Sequence, residues 1–156
     1  MHLIKTGNIF ESKMQTLVNP VNCVGVMGAG LALEFKRKYP DMFTFYQNAC
    51  IHKPVPPLLD TGNPVLYVSH DENTRIVLFP TKNHWKDPSK IEYIEKGLDA
   101  FVFKYREWGI TSVAFPALGC GYGGLEWNQV RSLMVEKLRA LPIPIEIYRP
   151  KPSRVR

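Results

Sequence analysis

Two glycine-rich segments each run into a predicted helix, and they offer the plainest chemistry in the chain. The first glycine loop (residues 19–30) has three glycines within six residues, and the second glycine loop (residues 116–125) has four. Glycines let the backbone approach a ligand closely, and a helix N-terminus presents free N–H groups and partial positive charge. Two such loops facing each other form a cradle for a diphosphate, with no metal. A tight turn without a ligand is the alternative for either loop alone.

The first glycine loop differs from the common nucleotide-binding motifs. Its glycine spacing is not that of G-x-G-x-x-G, no acidic partner for a ribose is evident, and the G-K-[ST] of a P-loop is missing. The chain also lacks a G-x-S-x-G elbow and a Ser-His-Asp pattern. The sequence therefore predicts phosphate binding of another kind.

Lys82 is the strongest candidate for a reacting side chain. It follows the predicted strand that ends at Phe79 by three residues, which places it at the ligand edge of the sheet. A lysine beside a phosphate or leaving group can act as an electrostatic anchor, a general acid or a nucleophile. A solvated surface lysine is the alternative. His84 and Trp85 lie next to it, and we expect Trp85 to be a packing residue.

Cysteine and histidine side chains predict neither a disulfide nor a metal site. They are too scattered for metal-ligand spacing and contain no C-x-x-C pair. The residues are Cys23, Cys50, Cys120, His2, His52, His70 and His84. We expect reduced thiols, with Cys23 and Cys120 as small buried residues of the glycine loops and not as nucleophiles.

Strands and helices alternate along the chain. Apolar, β-branched runs predict strands at residues 3–4, 16–18, 65–68, 75–79, 112–115 and 145–148. Helical spacing predicts helices at 30–38, at 41–52 with Asp41 as the cap, at about 91–109 after a Ser89–Glu92 capping box, and from 127 to 138. This alternation predicts an α/β fold with a mixed, mostly parallel sheet between helices. Ligands of such folds bind outside the carboxyl ends of the strands.

Length and composition indicate a single globular domain. The chain has 156 residues, of which 45% are hydrophobic and 22% charged, so disorder and a disulfide scaffold are excluded. The net charge of +6 favours anionic partners weakly. No apolar run reaches the roughly 20 residues of a membrane span, and the N-terminus is not a signal peptide, so we expect a cytoplasmic protein. The proline-rich residues 53–57 predict a surface connection. The domain is expected at 1–148, with 149–156 as a tail or linker.

The residues resemble the macrodomain family of ADP-ribose-binding modules. Gly7-Asn8-Ile9 resembles the family's Gly-Asp-Ile, which holds the adenine, and residues 19–22 resemble its Asn-Ala-Ala-Asn, whose second Asn contacts the distal ribose. The two glycine loops match the family's pair of diphosphate loops, and Tyr148 matches a position where an aromatic often stacks on adenine. The resemblance implies a three-layer α/β/α sandwich. It also implies ADP-ribose contacts from Asn8, Ile9, Asn19, Gly25, Val26, Met27, Gly28, Gly30, Thr81, Gly119, Cys120, Gly121, Tyr122, Gly123, Gly124 and Tyr148.

Within that family, the loops look most like the branch that holds the antitoxin DarG and terminal ADP-ribose protein glycohydrolase. Both use a lysine at the position that matches Lys82. The protein glycohydrolase also has a loop aspartate, at the position of Gly123, which resolves a lysyl intermediate. DarG removes ADP-ribose from thymidine in single-stranded DNA and reverses the toxin DarT. The resemblance therefore implies a DNA ADP-ribosyl glycohydrolase with Lys82 and Asn22 as catalytic residues.

Alternatives to that activity stay open at this point. Lys82 acts either as a general acid or as a nucleophile, and Asn22 orients the distal ribose. The other function classes are a hydrolase of ADP-ribosylated protein acids or of O-acetyl-ADP-ribose, and a non-catalytic ADP-ribose reader. The expected partners are ADP-ribose, ADP-ribosylated single-stranded DNA and a cognate DarT toxin, with no cofactor and no membrane, for a monomer. Basic residues are candidates for a DNA backbone path: Lys36, Arg37, Lys38, Lys82, Lys86 and Lys90.

Overall fold

The described part of the chain contains six strands and four α-helices, in the order that the sequence predicts. The computed structural model describes residues 2–51 and 56–151. The strands are β1 (His2–Lys5), β2 (Thr16–Val21), β3 (Val65–Val68), β4 (Arg75–Pro80), β5 (Val113–Phe115) and β6 (Ile145–Tyr148). The helices are α1 (Gly30–Lys38), α2 (Pro40–Ala49), α3 (Ile91–Lys104) and α4 (Trp127–Leu138), and a 3-10 turn spans Ile9–Glu11.

The strands form one mixed, mostly parallel sheet, which confirms the predicted fold class. Their order across the sheet is β1-β6-β5-β2-β4-β3. Among the six described strands, β3 and β4 pair in antiparallel fashion, and the other neighbours are parallel. The central strand β2 pairs with both β4 and β5. The segments that follow these three strands therefore leave the sheet at neighbouring positions.

Helices cover both faces of the sheet, so the three-layer arrangement is also confirmed. Side chains of β4 alternate between two cores, with Val77 and Phe79 on the α3–α4 side and Ile76 and Leu78 on the α1–α2 side. All four are fully buried, as expected for a strand between two helical layers. Helix α3 lies close to the sheet at Gly97, where a Cβ would fall 2.4 Å from Cζ of Phe79.

Three element boundaries differ from the predictions. Helix α2 begins at Pro40, whose fixed φ suits the first helical position, so Asp41 lies in the first turn and is not the cap. Strand β2 continues to Val21 because residues 17–21 pair with β4. Helix α3 ends at Lys104, and looser turns follow until Gly109, whose φ is +68°.

The predicted capping box at Ser89 is wrong. The N-cap of α3 is Lys90, with no side-chain capping bond, so Ser89 lies one residue outside the helix. Its backbone N–H donates instead to the carbonyl oxygen of Gly123 at 3.0 Å. A long-range partner therefore replaces the local one.

Some predictions concern residues 52–55 and 152–156, which lie outside the described part of the chain. These are the end of the second helix at His52, most of the proline-rich connection, and most of the tail. None of the described helices is both long and apolar enough to cross a membrane.

Candidate functional site

The side chain of Asn22 organises the first glycine loop from within. Its Oδ1 accepts hydrogen bonds from the Val24 N–H at 3.0 Å and from the Tyr46 hydroxyl at 2.6 Å. Its Nδ2 donates to the carbonyl oxygen of Val26 at 2.7 Å. Because an amide nitrogen has two hydrogens, one remains to donate to a ligand. Asn22 therefore stabilises the conformation of the first glycine loop and is also a candidate ribose contact.

Tyr46 holds Asn22 in this arrangement and was not predicted as a site residue from the sequence. Its hydroxyl lies 2.8 Å from the Asn22 carbonyl oxygen as well as 2.6 Å from the side chain. The residue is fully buried, and burial raises the pKa of Tyr46, so the hydroxyl keeps its proton as a donor. No local motif marks Tyr46, since it lies within α2 among other buried apolar residues.

Two predicted ligand contacts lie beneath the first glycine loop. Asn19 is fully buried, with its Nδ2 3.9 Å from the Met27 sulfur and 3.7 Å from the Met42 sulfur. Met27 is 1% exposed. In this conformation, only the backbone of Met27 is placed to serve a ligand, and Asn19 supports the loop. Gly28 and Gly30 are exposed, Val26 is 40% exposed, and Gly25 is partly exposed.

The second glycine loop is closed by its own backbone and by Ser89. The Leu125 N–H donates to the Gly119 carbonyl oxygen at 2.9 Å, and Gly119 has a φ of +74°. Gly123 is buried against Ser89: a Cβ there would lie 2.2 Å from the Ser89 Oγ and 2.5 Å from the Gly119 carbonyl oxygen. The Oγ of Ser89 is buried without a hydrogen-bond partner in the part of the chain described. Ser89 was predicted only as a helix cap.

The two glycine loops face each other, as the cradle requires. The ring of Tyr122, from the second loop, lies over Gly30 of the first, where a Cβ would fall 3.1 Å from the ring's Cε2. Gly30 has a φ of +58°, so glycine is favoured there for its conformation as well as for space. Tyr122 is 77% exposed and Gly121 is also exposed. The two glycine loops are therefore neighbours at this edge of the sheet.

The lysine segment (residues 81–90) joins both glycine loops through the backbone. The Cys23 N–H donates to the Asn83 carbonyl oxygen at 2.9 Å, which ties the segment to the first loop. The bond from Ser89 to Gly123 ties it to the second. Lys82 is thereby held beside the cradle, and its Nζ donates to the Trp85 carbonyl oxygen at 3.2 Å. Thr81 is buried, and its backbone N–H donates to the carbonyl oxygen of Val21. This bond ties the start of the lysine segment to β2.

The expectation that Trp85 is a packing residue is wrong, since the residue is 49% exposed.

The expected basic path is only partly assembled. Lys36 lies with its Nζ 4.4 Å from the centroid of the Phe43 ring. Lys38 lies 5.4 Å from the centroid of Phe10. These two ammonium groups cover aromatic rings near α1.

A polar cluster supports the predicted adenine end of the site. Asn8 is exposed, and its Oδ1 accepts from the Phe10 N–H at 2.9 Å, which caps the 3-10 turn. Ile9 and Tyr148 are buried and pack in one cluster with Ala114. The Tyr148 hydroxyl donates to the Glu146 Oε1 at 3.1 Å. Tyr148 is only 6% exposed, so it is not an open stacking surface in this conformation.

Glu146 is the centre of that cluster and was not predicted as a site residue. It also accepts from the Ser12 hydroxyl at 2.6 Å and from the Lys5 Nζ at 3.2 Å. Burial alone disfavours the carboxylate, but the hydrogen bonds from Ser12, Lys5 and Tyr148 outweigh it, so the pKa of Glu146 lies below its ordinary value. Glu146 therefore holds Tyr148 and β1 in place as an anion.

The thiols of the site are poorly suited to nucleophilic chemistry. Burial raises the pKa of Cys23 to about 12 and that of Cys120 to about 11. Because the thiolate is the reactive form, neither is activated at neutral pH. Among residues 2–51 and 56–151, no three His, Cys, Asp or Glu side chains lie close enough to hold a metal ion.

Comparison with known proteins identifies relatives of this chain. The sequence model of the Macro domain matches residues 18–134. A DNA ADP-ribosyl transferase-DNA ADP-ribosyl glycohydrolase fusion protein of Thermosipho africanus is 43% identical over 166 residues, covering 96% of this chain and 42% of the relative. The chain therefore spans about two-fifths of the length of that curated relative.

Solved structures agree with the sequence comparison. The macrodomain of Mycobacterium tuberculosis DarG superimposes with a TM-score of 0.89 at 41% identity, covering 97% of this chain and 99% of that one. Thermosipho africanus DarTG in complex with ADP-ribose gives a TM-score of 0.88 at 45% identity, covering 96% of this chain and 42% of that one.

Proposed function

The chain belongs to the Macro domain family, and from this premise we propose that it is a DNA ADP-ribosyl glycohydrolase that releases ADP-ribose from thymidine in single-stranded DNA. The observation on which this proposal chiefly rests is Lys82, which lies in a segment whose backbone is hydrogen-bonded to both glycine loops. A protein that only binds ADP-ribose needs the loops but not the lysine. The similarity to the glycohydrolase fusion of Thermosipho africanus supports the same activity.

In the proposed complex, the cradle binds the diphosphate through backbone N–H groups of both glycine loops. Asn22 offers its free Nδ2 hydrogen to the distal ribose. The adenine lies toward Asn8, Ile9 and Tyr148. The ADP-ribose complex of Thermosipho africanus DarTG supports this occupant. The cradle's contribution to the reaction is positioning, because it brings the distal C1″ to Lys82 and leaves that carbon open to water.

The reaction breaks the bond between C1″ of the distal ribose and a thymine nitrogen. Positive charge develops on the sugar and negative charge on the departing base. Lys82, as an ammonium group, donates a proton to that nitrogen while water adds to C1″. The water's second proton leaves to solvent, and Lys82 is protonated again from solvent. The products are free ADP-ribose and an intact thymine base.

The shape of the second glycine loop favours this acid role over a lysyl adduct. The family resemblance assigns the resolution of such an adduct to a carboxylate, and the position expected for that group is Gly123. A side chain there would meet the Gly119 carbonyl oxygen at 2.5 Å and the Ser89 Oγ at 2.2 Å. The loop therefore has no room for an acid at this position, and water is the acceptor in the proposed reaction.

The proposal extends to a partner reaction. A DNA ADP-ribosyl transferase of the DarT type supplies the modified thymidine, and this chain removes the modification as an antitoxin. The fusion of transferase and glycohydrolase in the Thermosipho africanus relative supports this pairing.

The test is release of free ADP-ribose from a single-stranded oligonucleotide modified on thymidine. Lys82→Ala is expected to lose at least about 100-fold in turnover, the lower range for general acid catalysis, while it still binds ADP-ribose. Lys96→Ala, an exposed lysine on α3, is the matched control and should turn over normally.

An ADP-ribosylated glutamate protein is assayed beside the DNA. Release of ADP-ribose from the protein alone contradicts the proposed activity on DNA and assigns the chain to the hydrolases that act on ADP-ribosylated proteins. No release from either substrate, with ADP-ribose still bound, makes the chain a reader.

A further inference from the structure

An aromatic side chain stands exposed beside the candidate acid. Trp85 is 49% exposed, and its carbonyl oxygen accepts the hydrogen bond from Lys82. The indole thus belongs to the residue that fixes the lysine's amino group. An exposed indole offers a large apolar face with a polar N–H edge, which suits contact with a partner.

The residues around Trp85 fix its position. The Asp87 N–H donates to the His84 carbonyl oxygen at 3.0 Å, and the Lys86 N–H donates to His84 Nδ1 at 3.1 Å, so the chain makes a tight turn at the indole. The His84 ring lies 5.3 Å from the indole, tilted by 33°. The indole is therefore presented on an ordered turn, which lowers the entropy that a partner must overcome.

Positive charge lies close to the same ring. The Lys86 Nζ lies 5.2 Å from the indole centroid, and Lys90 is exposed five residues beyond Trp85 in the chain, with its Nζ 5.7 Å from the centroid of the Tyr93 ring. Within the described residues, Lys82, Lys86 and Lys90 form no ion pair with a carboxylate. Asp87 is the single acid of the lysine segment. An exposed aromatic ring among unpaired lysines is the composition of a single-stranded nucleic-acid surface.

We propose that Trp85 stacks on a base of the DNA strand next to the modified thymidine, while Lys86 and Lys90 face the adjoining phosphates. This inference rests on the proposed function, because it assumes a DNA substrate whose modified nucleotide reaches Lys82. Stacking is tolerant of sequence because every base has a flat face, so the platform holds the strand without selecting its sequence. A peptide substrate offers no comparable regular series of rings and phosphates.

The experiment compares a long and a short substrate. One is a thymidine-modified single-stranded oligonucleotide, and the other is the ADP-ribosylated thymidine mononucleotide, which has no neighbouring base. Trp85→Ala is expected to lower kcat/KM about tenfold on the oligonucleotide, mainly through KM. A tenfold change lies within the range of binding affinity that stacking on one base contributes. On the mononucleotide it should equal the wild type, because the substitution removes only the indole and keeps the backbone carbonyl oxygen that accepts from Lys82. Trp85→Phe should keep most of the activity on both substrates.

The matched control is Phe103→Ala, because Phe103 is an exposed aromatic at 84% on α3, outside the candidate site. It should leave both substrates unaffected. Equal activity of Trp85→Ala and the wild type on the oligonucleotide overturns the inference and leaves the proposed function intact. An equal loss on both substrates also overturns it, since the ring then acts within the pocket. If the wild type releases nothing from DNA, the proposed function fails first and this inference with it.

Discussion

Gly123 is the position where the addition of one carbon should damage the site most. Its φ lies outside the left-handed region, so the backbone accepts alanine, and only space opposes it. The new Cβ would lie 2.2 Å from the Ser89 Oγ, 2.8 Å from the Ser89 Cβ and 2.5 Å from the Gly119 carbonyl oxygen. The serine hydroxyl can rotate away, but the Gly119 carbonyl belongs to the backbone of the same loop. We therefore expect Gly123→Ala to displace the second glycine loop.

The expected cost is that of overpacking, about 2 kcal/mol in the free energy of unfolding, or roughly 4–8 °C in Tm for a chain of this length. The assay is urea unfolding followed by fluorescence, with the midpoints compared at an unchanged m-value. Ser89→Ala combined with Gly123→Ala should recover only part of the loss, because the contact with Gly119 remains.

The control lies two residues away in the same loop. Gly121 also has an ordinary φ, and a Cβ there meets nothing within 4 Å. Gly121→Ala should therefore keep or slightly raise the stability, by up to about 1 kcal/mol, because alanine restricts the unfolded chain. Since the added methyl group points from the exposed side of the loop, it should still weaken ADP-ribose binding. Equal stability of the two alanine variants would refute the reasoning from space.

Two other substitutions test the supports of the site. Tyr46→Phe removes the hydroxyl that bonds to Asn22, and we expect a loss of about 1–2 kcal/mol in the free energy of unfolding together with weaker ADP-ribose binding in a titration. Unchanged binding would contradict the role of Tyr46 in shaping the first glycine loop. Glu146→Gln should lower Tm at pH 7, because the hydrogen bonds from Ser12 and Lys5 favour the anion and depress the pKa of Glu146. A depressed pKa gives stability above the ordinary value, 4.5, that is lost as pH falls through the folded pKa, so the Tm difference should shrink toward pH 3; a difference that stays constant with pH would contradict this cause.

Local sequence pattern was sufficient for the elements and for the two loops of the site. The periodicity before Pro40 gave α1 at Gly30–Lys38, and the glycine clusters marked both walls of the cradle. The pattern works there because turns, helix starts and alternating burial depend on neighbours in the chain. Strand order is a different matter, since nothing local tells β6 to lie between β1 and β5.

The remaining features depend on contacts between distant residues. Ser89 satisfied a capping pattern, but Gly123 took its N–H and the helix began one residue later. The sequence of the first glycine loop did not tell which side chains point inward, so Asn19 and Met27 were assigned to a ligand although both are buried. Tyr46 supports Asn22 from another helix, and no motif in its own segment reveals that.

The order of the elements along the chain also determines when, during folding, both glycine loops are present. The first glycine loop and Lys82 come from the part of the chain before α3, whereas the second glycine loop follows β5, which pairs with β2. Pairings of such high sequence separation form late, because their loop-closure entropy must be overcome before they stabilise anything. A nascent chain that ends before Val113 therefore contains Lys82 and the first glycine loop but lacks the second glycine loop. In the proposed function, ADP-ribose contacts both glycine loops, so we expect it to stabilise the chain only once the sheet is complete.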